Sequence, residues 1–248
     1  MEAFVKKEVI NSVGIITFFH PKGNSLPSNL LNELEISIKE LSSSDEAKVL
    51  LLRSEGERAF CAGASFEELV SLENFEEAKK FFSGFGKVIN AIRNSSKFVL
   101  CRVQGKVVGG GVGLVAACDY VFATRSASAR LSELSIGIGP FVISLAVERK
   151  IGKAAFSQMS IDTEWYDAQW CYEKGLYNRI FESIEAMDKF IDTFLETLTS
   201  RNIKAQMELK RLLWEGTENW DLLLEKKAEI SAKLVLDETT QNTIRNLI

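Results

Sequence analysis

The stretch best suited to chemistry runs Gly105-Lys106-Val107-Val108-Gly109-Gly110-Gly111-Val112-Gly113 and continues as Leu-Val-Ala-Ala-Cys-Asp119. It gathers five of the chain's 16 glycines into nine residues, then passes directly into an apolar, helix-forming run. Glycine lets a backbone turn tightly and lets a ligand reach the main chain without meeting a side chain. A helix starting there aims free N–H groups, and the positive end of its dipole, at whatever docks. Such a turn suits an oxygen that gains negative charge during a reaction. Tight packing against a neighbouring strand would account for the same glycines.

A second segment, Ala59-Phe60-Cys61-Ala62-Gly63-Ala64-Ser65-Phe66, is a small-residue loop placed directly before a helix. Two such loops, each following a strand of one sheet, could give one N–H each to a single carbonyl oxygen. Other glycine chemistries do not fit. The Gly-Lys pairs at 86–87, 105–106 and 152–153 are followed by Val, Val and Ala, so no Walker-type phosphate loop is present. Gly109 and Gly111 are followed by Leu114, which breaks the dinucleotide spacing. The lone His20, beside Pro21, reads as a loop residue and leaves no partner for Ser-His-Asp catalysis or a His-based metal site.

The elements that must hold these loops can be read from periodicity. Residues 3–9 and 12–19 read as strands joined at Asn11-Ser12, and Pro27-Ser28 opens an amphipathic helix. Val49 to Arg53, Phe98 to Val103 and Tyr120 to Ala123 are nearly continuous apolar strands, as in a parallel sheet covered on both faces. Residues 66–95 read as one helical stretch, acidic at first. Its Phe75, Phe81 and Phe82 fit a core stripe, and equally a wall over a pocket. From about Gly152 helical periodicity dominates without clear strands.

At 248 residues the chain can bury a substantial core, and 46% hydrophobic with 26% charged residues is ordinary for a soluble α/β protein. A net charge of −4 argues against nucleic-acid binding. Cys61, Cys101, Cys118 and Cys171 form no CxxC pair and read as reduced, which fits a cytoplasmic protein. No apolar stretch reaches membrane-spanning length, so no membrane partner is expected.

Taken together, the Ala59–Ala64 loop, Gly109 to Asp119, Ser132-Glu133-Leu134-Ser135-Ile136-Gly137-Ile138 and the apolar surroundings of Lys174-Gly175-Leu176 resemble the crotonase superfamily, the enoyl-CoA hydratase/isomerase family. The likeness spans about residues 4–185. It implies an α/β spiral of ββα units over residues 1–190 and a helical region, 191–248, for assembly into a homotrimer or a hexamer of two trimers. It implies acyl-CoA thioesters as substrates, with coenzyme A entering as part of the substrate and no separate cofactor or metal. The oxyanion-hole amides fall on Ala64 and Gly110. Lys22, Asn24, Leu26, Ala62, Ser65 and Phe66 are implied as acyl-CoA contacts, with Gly109, Gly113 and Phe141 near the acyl end. For Lys22, an ordinary solvent-facing lysine is the competing reading.

Two family positions commonly carry glutamates that move protons at the α- and β-carbons. Here one is Glu133, among Leu131, Leu134 and Ile136, where burial would raise its pKa. The other is Gly113. One carboxylate suits Δ3,Δ2-enoyl-CoA isomerisation. A finer likeness, extending through Pro140 to Ser144, is to bacterial methylglutaconyl-CoA hydratases of leucine degradation, which also tend to have glycine there. Hydration with one glutamate then needs other means of holding water: Ser144, a backbone carbonyl, or a carboxylate on the substrate. A catalytically weak acyl-CoA-binding scaffold is the non-enzymatic alternative. Nucleophilic dehalogenase chemistry is excluded, because Phe141 stands near the aspartate position and no histidine follows His20. The last thirty residues lack the family's glycine turn and basic, Phe-containing tail, which weakens any cross-subunit contact to coenzyme A.

Overall fold

In β1 (Phe4–Ile10) and β2 (Val13–Phe19), alternating and apolar side chains pair antiparallel across Asn11 and Ser12. Both turn residues have positive φ, 51° and 64°, the twist that a two-residue hairpin requires. The computed structural model, which describes residues 2–246, continues through α1 (Ser28–Ser43) to β3 (Val49–Ser54) and β4 (Ala59–Cys61). After α2 (Phe66–Val70) and α3 (Phe75–Asn94) come β5 (Val99–Val103), β6 (Lys106–Val108) and α4 (Gly110–Ala117). Then follow β7 (Tyr120–Thr124), β8 (Ser128–Arg130) and α5 (Ser144–Asp162).

From β3 to β8, successive strands alternate between two sheets. The larger has the order β1-β2-β3-β5-β7-β10 and the smaller β4-β6-β8-β9, with β9 (Tyr166–Asp167) and β10 (Arg179–Phe181) flanking α6 (Ala168–Glu173). All pairings are parallel except β1 with β2 and β8 with β9. Each turn therefore lays one strand in each sheet and closes with a helix. This is the ββα spiral that the resemblance implies.

Strands buried on both faces explain the continuous apolar runs. On one face of the large sheet Val13, Val49, Leu51, Leu100 and Phe122 pack against Met187, Ile191, Leu195 and Leu198 of α7 (Ile184–Ser200). The other face joins the main core with α1, α3 and α4. The chain ends in α8 (Ile203–Leu213), α9 (Trp220–Val235) and α10 (Glu238–Arg245). Asp119, which closes the glycine motif, is the tie between α4 and α8. Its carboxylate accepts from Val99 N (2.7 Å), Lys210 Nζ (2.6 Å) and Trp214 Nε1 (2.8 Å).

Three expectations need correction. The helical stretch 66–95 is two helices, because the Ser71 hydroxyl bonds back to Glu68 O while the Asn74 side chain caps α3 by accepting from Glu77 N. The glycine run is not all turn: Lys106–Val108 forms β6. The region after Gly152 does hold strands, β9 and β10, too short to impose a period. A division between residues 190 and 191 would fall inside α7. All four cysteines are buried and unbridged. Among the described residues no helix is long and apolar enough to cross a membrane.

Candidate active site

Strands β4 and β6 lie side by side, so the loops leaving them meet. An ideal Cβ on Gly63 would stand 3.0 Å from Val108 O and 3.6 Å from Gly110 N, which shows how closely they approach. Leu26 sets the first loop. Its N–H donates to Gly63 O at 2.8 Å, and its carbonyl accepts from Ser65 N at 3.3 Å, in a parallel bridge that leaves Ala64 N–H pointing the other way. Gly109, with φ 53° and ψ −121°, turns the second loop into α4 in a conformation that a side chain would strain. Gly110 is then the first residue of α4, where an N–H has no partner within its own helix. Ala64 and Gly110 thus line one small cavity.

Ala64 lines two spaces. One is a groove of about 490 Å³ formed with Lys22, Ser25, Ala62, Ser65, Phe66, Glu67 and Val70. The other is a cavity of about 50 Å³, walled by Phe82 and Phe85 of α3, Gly110, and the segment Gly139–Ile143. Only two polar side chains enter the cavity lining, Glu133 and Ser231. Phe85 lies directly on Gly110: a Cβ there would fall 2.2 Å from its ring.

Glu133 sits at the start of a 3₁₀ turn, Leu134–Ile136, and its carbonyl accepts from Ile136 N and Ile138 N. Its carboxylate rests against Gly109, whose ideal Cβ would be 3.0 Å from Oε1. Oε2 is shielded from solvent and has no hydrogen-bond partner among the described residues. Desolvation pushes the carboxyl pKa up to about 7, against the smaller opposing pull of the Glu133 and Ser132 backbone N–H groups. A proton-transfer group balanced near neutral pH and lacking a committed partner is chemically apt for acid–base work. The loop is pinned from outside by α10, where the Thr240 hydroxyl donates to Gly137 O at 3.3 Å.

Lys22, Ala62, Ser65 and Phe66 line the groove, and Gly110, Glu133 and Phe141 line the cavity. Lys22 forms an exposed ion pair with Glu67 across the groove. Asn24 and Leu26 line neither space. Asn24 is buried, donating to Glu55 O (2.8 Å) and Ala59 O (2.9 Å), and Leu26 is fully covered; both shape the loop. Gly109 stands beside the carboxylate without lining the cavity. Gly113 is under Ile143: a Cβ on it would lie 2.3 Å from Ile143 Cγ2. Ser144 does not line the cavity, and its hydroxyl donates to Phe141 O at 2.7 Å. Phe85 and Ser231 carried no motif, since they come from α3 and α9, brought together by folding, whereas Val142 and Ile143 lie in the Pro140–Ser144 stretch of the finer likeness without having been singled out as site residues.

The model of the family described as enoyl-CoA hydratase/isomerase matches residues 8–245. The chain belongs to the enoyl-CoA hydratase/isomerase family. It is an enzyme of that family, with the family's fold. It is 29% identical to the short-chain-enoyl-CoA hydratase of Clostridium acetobutylicum, over 71% of this chain and 68% of that one. It is 31% identical to a mitochondrial methylglutaconyl-CoA hydratase of Rattus norvegicus, over 66% of this chain and 52% of the rat protein. An enoyl-CoA hydratase structure from Mycobacterium avium superposes with a TM-score of 0.86 at 26% identity, covering 100% of this chain and 96% of that one. One from Bacillus halodurans gives a TM-score of 0.91 at 21% identity, covering 98% and 99%, a likeness of fold.

Proposed function

We propose that this enzyme adds water across the double bond of a short, apolar α,β-unsaturated acyl-CoA thioester. The observation that carries the reading is the position of Ala64, at the junction between a large open groove and a small cavity holding Glu133. Coenzyme A fits the groove side and the acyl group the cavity side, with the thioester oxygen between Ala64 N–H and Gly110 N–H. Those two donors gain strength as the oxygen becomes an enolate oxygen, an effect of about 3 kcal/mol for one such donor.

Glu133 then carries out both proton transfers. As carboxylate it takes a proton from water while the water oxygen bonds to the β-carbon and the π electrons move onto the thioester oxygen. As acid it returns that proton to the α-carbon, so one molecule of water is added and the carboxylate is regenerated. Among the described residues, the cavity lining contains no Lys, Arg or His. An acyl group ending in a carboxylate, as in methylglutaconyl-CoA, would meet no counter-charge there, which favours the apolar class.

The second reading is double-bond isomerisation, favoured by Ile143 filling the space beside Gly113. Purified protein mixed with a conjugated short-chain enoyl-CoA tests both by ultraviolet absorbance. Loss of the conjugated band supports hydration. A gain from a 3-enoyl thioester with no loss from the conjugated one supports isomerisation and overturns the hydratase reading. Silence in both with coenzyme A still bound supports the scaffold alternative. Assembly into a trimer is also carried forward, supported by the exposed apolar side chains Met207, Leu209, Leu212 and Leu213 of α8.

A further inference from the structure

A hydratase needs its water held as well as deprotonated, and the place where a second carboxylate would stand is filled by Ile143 against Gly113. The cavity nonetheless has a second polar side chain. On α9 the buried stripe runs Trp220, Leu224, Ala228, Ser231, Ala232 and Val235, and Ser231 alone on it is polar. The stripe packs on α3 near the acyl cavity: an ideal Cβ on Gly86 would lie 3.4 Å from Leu224 Cβ and 3.6 Å from Val142 Cγ1.

Ser231 is only 1% exposed and lines the cavity. Across the same lining, Glu133 Oε2 has no hydrogen-bond partner among the described residues. A hydroxyl and an unpartnered carboxylate oxygen in one apolar cavity have complementary capacity for a single water.

Resting on the hydratase reading, we propose that Ser231 is the residue that positions the attacking water. One water hydrogen bonds to the Glu133 carboxylate and is the proton transferred. The other hydrogen bonds to Ser231 Oγ, and this fixes a lone pair of the water oxygen toward the β-carbon. Ser231 neither gains nor loses a proton. Its effect is orientation, which the helix α9 secures because the side chain has one short torsion and a buried backbone.

The test uses the full-length enzyme and two reactions with the same thioester machinery. Hydration of a short enoyl-CoA needs the held water. Exchange of the α-hydrogen of the saturated acyl-CoA into D2O, followed by NMR, needs Glu133 and the two amides but no attacking water. Ser231→Ala is expected to lower kcat for hydration by about 10- to 100-fold, with KM within about twofold and the exchange rate little changed. Ser231→Thr, which keeps the hydroxyl, is expected to recover most of the hydration. An equal fall in both reactions assigns Ser231 to packing and overturns the proposal, as does full hydration by Ser231→Ala. A wild-type protein that exchanges but does not hydrate overturns the hydratase reading itself, and the role of Ser231 with it.

Discussion

The two sides of the candidate site are built from different material. The side proposed for the thioester is main chain: Ala64 lies in the loop after β4, and Gly110 opens α4 just after β6. The acyl side is side chain: Glu133, Phe82, Phe85, Ile143 and Ser231 come from α3, the segment before α5, and α9. The first side needs small residues so that backbones can approach, and tolerates little else. The second needs particular shapes and one particular carboxylate. On the proposed reading, electrostatic support comes from the fold, whereas the reaction is decided by side chains from distant parts of the chain.

Substitutions can break this contrast in order of size. Glu133→Gln strikes the acyl side where chemistry depends on it, and kcat for hydration is expected to fall by about 10³-fold or more. The same variant has an opposite effect on stability. In the native protein the carboxyl titrates near 7 rather than at its ordinary 4.5, so between these values the unfolded chain has lost the proton and the native one retains it. Native stability attributable to this group therefore falls as pH rises from about 4.5 to 7, and stays reduced above. Urea unfolding at pH 8 should show Glu133→Gln more stable than wild type by about 1–3 kcal/mol, with the difference gone at pH 4.

On the main-chain side, Gly110→Ala would drive a Cβ into the Phe85 ring and shift the first amide of α4. Hydration is expected to fall about 100-fold. A loss under threefold in a steady-state assay would mean that this amide does not touch the thioester.

Gly113→Glu probes the seam between the two sides. The new side chain meets Ile143, so thermal unfolding should show a loss of about 1–3 kcal/mol with no gain in kcat. Ile143→Ala added to it should return part of the stability. The smallest effect is expected at the groove mouth. Lys22→Ala removes an exposed, solvent-screened ion pair with Glu67, so thermal unfolding should be nearly unchanged. If coenzyme A phosphates engage this lysine, KM rises several-fold with kcat unchanged.

How much of this was legible in the sequence follows the same division. The glycines of 109–113 and the residues of the loop 59–64 are each contiguous, so spacing raised a backbone site beside the competing reading of tight packing, and the apolar strands pointed to a sheet covered on both faces. The resemblance then singled out Glu133. What stayed hidden depended on tertiary approach. Asn24 and Leu26 carry loop-shaping hydrogen bonds, not a wall of either space. Ile143 fills the space beside Gly113 because α5 begins there, a fact absent from any local pattern. Ser231 looks like one more residue of an amphipathic helix until the stripe it interrupts is seen against the cavity. The strands at 166–167 and 179–181 were too short to mark themselves by alternation.

The contact between Gly113 and Ile143 also bears on which sequences can be reached from this one. A two-carboxylate site requires both positions to change, and the order matters. Enlarging residue 113 first passes through an overfilled interior, whereas trimming residue 143 first opens a void beside the acyl group. Neither single step is neutral, so the two positions are epistatic, and libraries seeking altered reaction specificity should vary them together.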